Sequence, residues 1–305
     1  MSRRGLALFA LMSVLWGLPY FMIKVAVRHL TPATVVEGRT LIGACILVPL
    51  ALRQREVRPL LRAWKPLLGY CVCELGVPWF LLSNAERKLP SSLSGLLVAT
   101  VPLIAVLIAT LAGQKAVTDT WGLSGLLVGL GGVAVLLGLD VRGTELGSVA
   151  QVLVVAVGYA LGPLIAANFL AGYSSLALAA VSLAVVAAGY LPVAVVQLPS
   201  QLPPPSVIAS VTVLGVVCTA LAFVAFFELL KEMPPTQATV ITYFNPVVAV
   251  ILGVAVLGEP FKAVTAVGFV LILAGSWFAT GRARHRDSER DGLTAGSSRA
   301  GAPPA

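Results

Sequence analysis

Ten runs of roughly 20 mostly apolar residues divide the chain, near 5–24, 33–52, 66–85, 92–112, 120–139, 148–168, 176–197, 207–230, 236–257 and 263–281. Each is long enough to cross about 30 Å of hydrocarbon as a helix. Short polar or Pro/Gly-containing joints separate them, such as "RHLTP", "RQREVRPLLRAWK", "LPSQLPPPS" and "EPFK". In lipid every backbone N–H and C=O must be satisfied internally, which leaves helices and closed barrels. Barrel strands alternate apolar and polar residues over about ten positions, and that period is absent. The expected fold is an all-α integral membrane protein with ten transmembrane helices. Composition agrees, with 58% hydrophobic and 11% charged residues, where a soluble domain carries about a quarter charged.

The start, "MSRRGLALFALMSVLWGLPYF", has a basic opening, but no small-residue cleavage site closes its long apolar run, so it reads as the first span. Cys45, Cys71, Cys73 and Cys218 all fall inside apolar runs. On a helix Cys71 and Cys73 point about 200° apart, so they read as packing residues and no metal or cofactor is expected. The net charge of +8 is distributed by topology. With ten spans, 14 Lys/Arg fall at the inner ends against seven at the outer. The positive-inside rule then makes that side cytoplasmic, so the expected placement is the cytoplasmic membrane with both termini cytoplasmic. No nucleic-acid partner is implied. Residues 282–305 are polar and read as a disordered cytoplasmic tail.

The halves resemble each other in register. "RKLPSSLSGLLVATVPLIAVL" at 87–107 aligns with "KEMPPTQATVITYFNPVVAVI" at 231–251, matching Pro90 to Pro234 and Pro102 to Pro246. Gly113, Gly122 and Gly129 match Gly258, Gly268 and Gly275. Residues 1–140 and 141–281 are therefore two five-helix repeats. Five is odd, so the second repeat enters the membrane in the opposite sense, as secondary transporters built around a midplane site do.

A helical proline releases the carbonyl four residues before it. Pro19, Pro78, Pro163 and Pro246 free those of Leu15, Glu74, Tyr159 and Thr242, and three of these four positions are polar. A charge at the depth of Glu74 costs on the order of 3 kcal/mol. Either Glu74 pairs with Arg39 and locks two helices, or it faces a substrate or carries a proton. On the first helix Ser13, Trp16, Tyr20 and Lys24 form one stripe, a cavity wall or else an interfacial belt with a snorkelling lysine. Tyr159, Thr242 and Tyr243 are further polar candidates. Gly122, Gly125, Gly129 and Gly132 form a small-residue face that packs either within its own half or between protomers of a homodimer. No catalytic motif, phosphate-binding loop or His cluster appears, so the chain does not read as an enzyme.

"LWGLPYFMIK", "AERKLPSSLSGLLVATVPLIAVL" and "TQATVITYFNPVVAVILGVAVLGEPFKAVTAVGFVLILAG" resemble the EamA family of the drug/metabolite transporter superfamily, over roughly residues 5–280. The resemblance implies ten helices, two inverted repeats and a central cavity. The family's Gly-x-Glu after the fourth helix is replaced here by Gln114 and Lys115 in "AGQKAVTD". The expected function is secondary export of a small polar or amphipathic metabolite, amino-acid-like or drug-like, from a site lined by Trp16, Tyr20, Glu74, Tyr159, Thr242 and Tyr243. The alternative is a passive facilitator or lipid-moving protein without ion coupling. The partners are a small-molecule substrate and membrane lipid.

Overall fold

The computed structural model describes residues 2–53, 57–111, 120–140, 146–233 and 240–278. The tail from 282, the Gln114–Lys115 departure and Pro234 lie outside the described residues. Among those residues the structure is helical throughout, without strands. Its helices are α1 (Arg3–Ala26), α2 (Pro32–Arg53), α3 (Trp64–Ala85), α4 (Ser91–Leu111), α5 (Thr120–Asp140), α6 (Leu146–Phe169), α7 (Ser175–Val196), α8 (Pro205–Glu232), α9 (Ile241–Ala255) and α10 (Ala263–Phe278). A short helix, Val57–Arg62, precedes α3. Seven of them, α1 to α4 and α6 to α8, are long and apolar enough to cross a membrane, and α5, α9 and α10 contain shorter apolar stretches.

The ends carry local signals. Ser2 caps α1 by accepting from the Gly5 N–H at 2.9 Å, and Ser174 caps α7 through the Ala177 N–H. Proline at position 205 opens α8, where its missing N–H costs nothing. Prolines also deform the interiors. Upstream of Pro102, α4 breaks at Ala99–Thr100 between two helical stretches. Before Pro78, α3 widens over Cys71–Gly76 into a π-helical turn, so the released hydrogen bonds are absorbed by an extra residue per turn. One of the carbonyls there, that of Gly76, accepts from the Tyr190 hydroxyl at 3.0 Å. A second π turn spans Val216–Leu221 in α8, 145 residues after the first.

The chain forms two compact units. One comprises Met1–Val101 and Leu139–Lys262, and the other Pro102–Gly138 and the residues from Ala263 on. Each thus combines segments from both halves of the sequence. In the first unit, α2 lies along α7, α1 against α9 and α8, and α3 against α6. Its core has two parts: one around Leu47, Leu75, Trp79 and Leu183, the other around Met12, Leu15, Leu229 and Ile241. In the second unit, α5 and α10 meet backbone to backbone. A Cβ on Gly132 would collide with the Gly268 carbonyl, and one on Gly275 with the main chain of Gly125 and Gly129. The small-residue face of α5 thus packs on a helix of the other half, not within its own half as one expectation had it, because glycines on both helices allow so close an approach.

Candidate functional site

Arg39 lies on α2 and is 6% exposed. Its Nε donates to Thr219 Oγ1 at 2.8 Å, and its guanidinium carbon stands 3.6 Å from the centre of the Trp79 ring. A buried guanidinium over an indole face gains on the order of 2 kcal/mol. The planar fork is thereby fixed, and among the described residues its two terminal nitrogens make no hydrogen bond. Thr219 is held in turn, because its hydroxyl donates to the Leu214 carbonyl five residues back at 2.8 Å. That five-residue reach is the geometry of the π turn around it.

Glu74 sits in the other π turn, ten residues from the start of α3. It faces α6, where Gly158 and Gly162 leave a groove. A Cβ at Gly162 would run into the Glu74 carboxylate, and one at Gly158 into the Cys73 carbonyl. Glu74 Oε2 is buried and has no hydrogen-bond partner among the described residues. The Glu74–Arg39 pair expected as one reading is not made: Arg39 engages Thr219 and Trp79 instead. The reason is reach, since the π turn points Glu74 at the α6 groove.

Tyr159 of α6 connects these groups. It interacts electrostatically with both Arg39 and Glu74, and Trp79 stands beside its hydroxyl. Tyr20 of α1 is 5% exposed, lies against the backbone of Gly95 and interacts electrostatically with Tyr159 and Arg39. Tyr20, Arg39, Glu74 and Tyr159 thus share one neighbourhood. Trp16 is elsewhere on α1, with its ring 4.8 Å from that of Phe226 in the second apolar cluster. Thr242 and Tyr243 occupy the first turn of α9, half-buried. Three residues just beyond them in the chain are informative. Phe244 meets Phe9 edge-on at 5.5 Å, the Asn245 side-chain oxygen is buried with no hydrogen-bond partner among the described residues, and Pro246 is buried.

Sequence reasoning missed Trp79, Thr219 and the Gly158–Gly162 groove. A signal for Thr219 existed, because at the offset of 145 it is the counterpart of Glu74. For the groove, "GYALG" is a small-xxx-small spacing like the one noted on α5. Lys24 does not snorkel: its Nζ donates to the Glu86 and Leu89 carbonyls at 2.7 Å each.

Several apolar helices of spanning length define a polytopic membrane protein. The family model described as "EamA-like transporter family" matches residues 3–138 and again 147–281. The chain belongs to that family, and it is a membrane transporter rather than an enzyme. An inner membrane transporter of Escherichia coli K12 named YedA, itself described as uncharacterized, is 29% identical over 267 residues, covering 85% of this chain and 84% of the relative. An uncharacterized transporter of Archaeoglobus fulgidus is 21% identical over 272 residues, covering 87% and 95%. A protein crystal structure superposes with a TM-score of 0.65 at 21% identity, covering 93% of this chain and 99% of that one. That last likeness speaks for the fold alone.

Proposed function

We propose that the chain is a secondary transporter that exports a small polar or amphipathic metabolite, amino-acid-like or drug-like, across the cytoplasmic membrane. The observation that carries this reading is the set of Arg39, Trp79, Glu74, Tyr159, Thr219 and Tyr20. It is drawn from α1, α2, α3, α6 and α8 of both halves, with Tyr20, Arg39, Trp79 and Thr219 buried and Glu74 and Tyr159 partly so. A solitary structural cation would have its hydrogen-bonding capacity filled. Among the described residues Arg39 instead shows a single hydrogen bond, from Nε, with stacking on Trp79 holding the fork in place, which suits an anionic group arriving from outside the protein. Glu74, with an unpartnered oxygen, suits a substrate amine or a proton.

The reading includes ten spans arranged as two inverted five-helix repeats, with both termini cytoplasmic. Its supports are the twofold match of the family model, the equal lengths of α1 and α6 (24 residues each) and of α2 and α7 (22 each), and the two π turns at corresponding places. A widened turn is a ready hinge, and two of them 145 residues apart give each half a place to bend.

The test is uptake into proteoliposomes of pooled labelled amino acids and purines, with and without an imposed pH gradient. Gradient-dependent accumulation is expected, and it should fall to background in Arg39→Gln. Equilibration that ignores the gradient would make the chain a facilitator, and an Arg39→Gln protein as active as the wild type would dismiss the site.

A further inference from the structure

The turn between α3 and α4 is gripped from two sides. Lys24 of α1 donates from Nζ to the main-chain carbonyls of Glu86 and Leu89, at 2.7 Å each. Glu259, in the loop after α9, accepts from the N–H and hydroxyl of Ser91 at 2.7 and 2.9 Å and from those of Ser92 at 2.9 and 2.7 Å. Between them lies Glu86, the first residue after α3. It is 0% exposed, and neither carboxylate oxygen has a hydrogen-bond partner among the described residues.

An ionised carboxylate out of water and without a partner is costly enough that the group takes up a proton instead. The neighbours of Glu86 reinforce this. Tyr20 from α1 and Tyr159 from α6 face it and carry no charge at neutral pH. The Lys24 ammonium, itself faced by Arg28, is engaged with two carbonyls. Glu259 interacts with Glu86 as a second acid. Burial acts to raise the Glu259 pKa, but its hydrogen bonds from Ser92 and Ser91 outweigh that and hold it below the usual carboxylate range, so it stays an anion. Burial pushes Glu86 well above that range; Lys24 opposes the shift and Glu259 adds to it.

The geometry points to Glu86 as a proton-binding site of the transporter, linked through Lys24 to the α3–α4 turn. With Glu86 protonated, Lys24 holds the two carbonyls and α4 starts from a fixed point. When the proton leaves to water, the carboxylate becomes the stronger acceptor, and Lys24 Nζ moves to it and releases the turn. Only the O–H bond of Glu86 is broken. The use of this proton to drive transport rests on the secondary-transport reading above, whereas the protonation itself does not.

The full chain in liposomes is titrated while the infrared carbonyl band of protonated carboxyl groups is followed. The wild type should show a carboxyl that titrates above the usual carboxylate range. Glu86→Gln should remove that component, Glu74→Gln should leave it, and Lys24→Met should move its midpoint upward, since a cation is lost. A titration unchanged in Glu86→Gln, or removed by Glu74→Gln alone, overturns the assignment. If Glu86→Gln does not fold, a midpoint unmoved in Lys24→Met overturns it equally. Substrate counterflow without a gradient, which needs no net proton movement, should survive in Glu86→Gln while pH-driven accumulation is lost. Accumulation that persists overturns the coupling. A wild type that moves no substrate counts against the transport reading, and the infrared result still decides Glu86.

Discussion

Replacing Glu259 with Gln tests the best-defined polar contact outside the membrane-spanning helices. The carboxylate serves two donors on each oxygen, Ser91 on Oε1 and Ser92 on Oε2. A glutamine amide retains one acceptor oxygen and turns an NH2 toward the other serine. One hydroxyl can reverse and accept from it, but one backbone N–H at the start of α4 is left facing a donor. Leaving a buried donor unsatisfied costs about 1–3 kcal/mol. Losing a negative charge at a helix N-terminus adds about 0.3–1 kcal/mol. Glu259 is only half-buried, which pulls the sum toward its lower end. The expected loss is about 2 kcal/mol, or a factor of roughly 30 in the folding equilibrium. Reversible unfolding in mixed micelles by SDS titration would measure it. The pH dependence carries the sign. The folded pKa of Glu259 lies below its unfolded value, so its contribution is fully present above about pH 4.3. It is lost as pH falls through the lower folded value. Wild-type and Glu259→Gln curves should therefore lie apart at neutral pH and converge in acid. Curves that coincide at neutral pH, or a gap that widens as the pH drops, would refute the account of this cap.

Three further outcomes follow from the packing. Gly162→Val should drive a side chain into the Glu74 carboxylate and cost about 1–3 kcal/mol of stability, seen as a lower SDS midpoint, together with weakened uptake. Arg39→Lys keeps the charge but loses the planar fork over Trp79; uptake assays should show the apparent KM rising about tenfold or more with maximal rate less affected, and an unchanged KM would contradict the role of the fork. Gly275→Leu should separate α5 from α10, where glycine backbones touch, and lower the thermal midpoint, while Leu271→Ala in the same helix should perturb it less.

Helix positions were legible in the sequence because each apolar run is long and bounded by charge, proline or glycine. The runs near 33–52, 148–168 and 176–197 correspond to α2, α6 and α7 within two residues at each end. The π turn in α3 was foreshadowed by Pro78, though not its form, and the break in α4 before Pro102 was not anticipated. A proline says that a hydrogen bond is missing; whether the helix kinks or widens depends on what packs opposite. For α3 that is the glycine groove of α6. The partner of Arg39 was illegible for a related reason. Spacing places Glu74 and Arg39 at comparable depths, and only the rotation imposed by the π turn sends one to α6 and the other to Thr219, 180 residues away. The partners of Lys24 and Glu259 were hidden because they are main-chain carbonyls and serines, which leave no charge pattern to read.

The clasp formed by Glu259 also bears on direction. Under the inverted arrangement proposed above, the mate of Ser91 on the opposite side of the membrane is Pro235, which has no N–H to offer, and Gln114 and Lys115 stand where an acid would be needed. One face can thus be fastened by an anion across two donor pairs, while the other has neither the anion nor one of the donors. On that proposed arrangement the two end states would not be mirror images in energy. Even with no gradient the equilibrium would be tilted toward the state closed on the clasped side, and a driving force would first have to overcome that tilt.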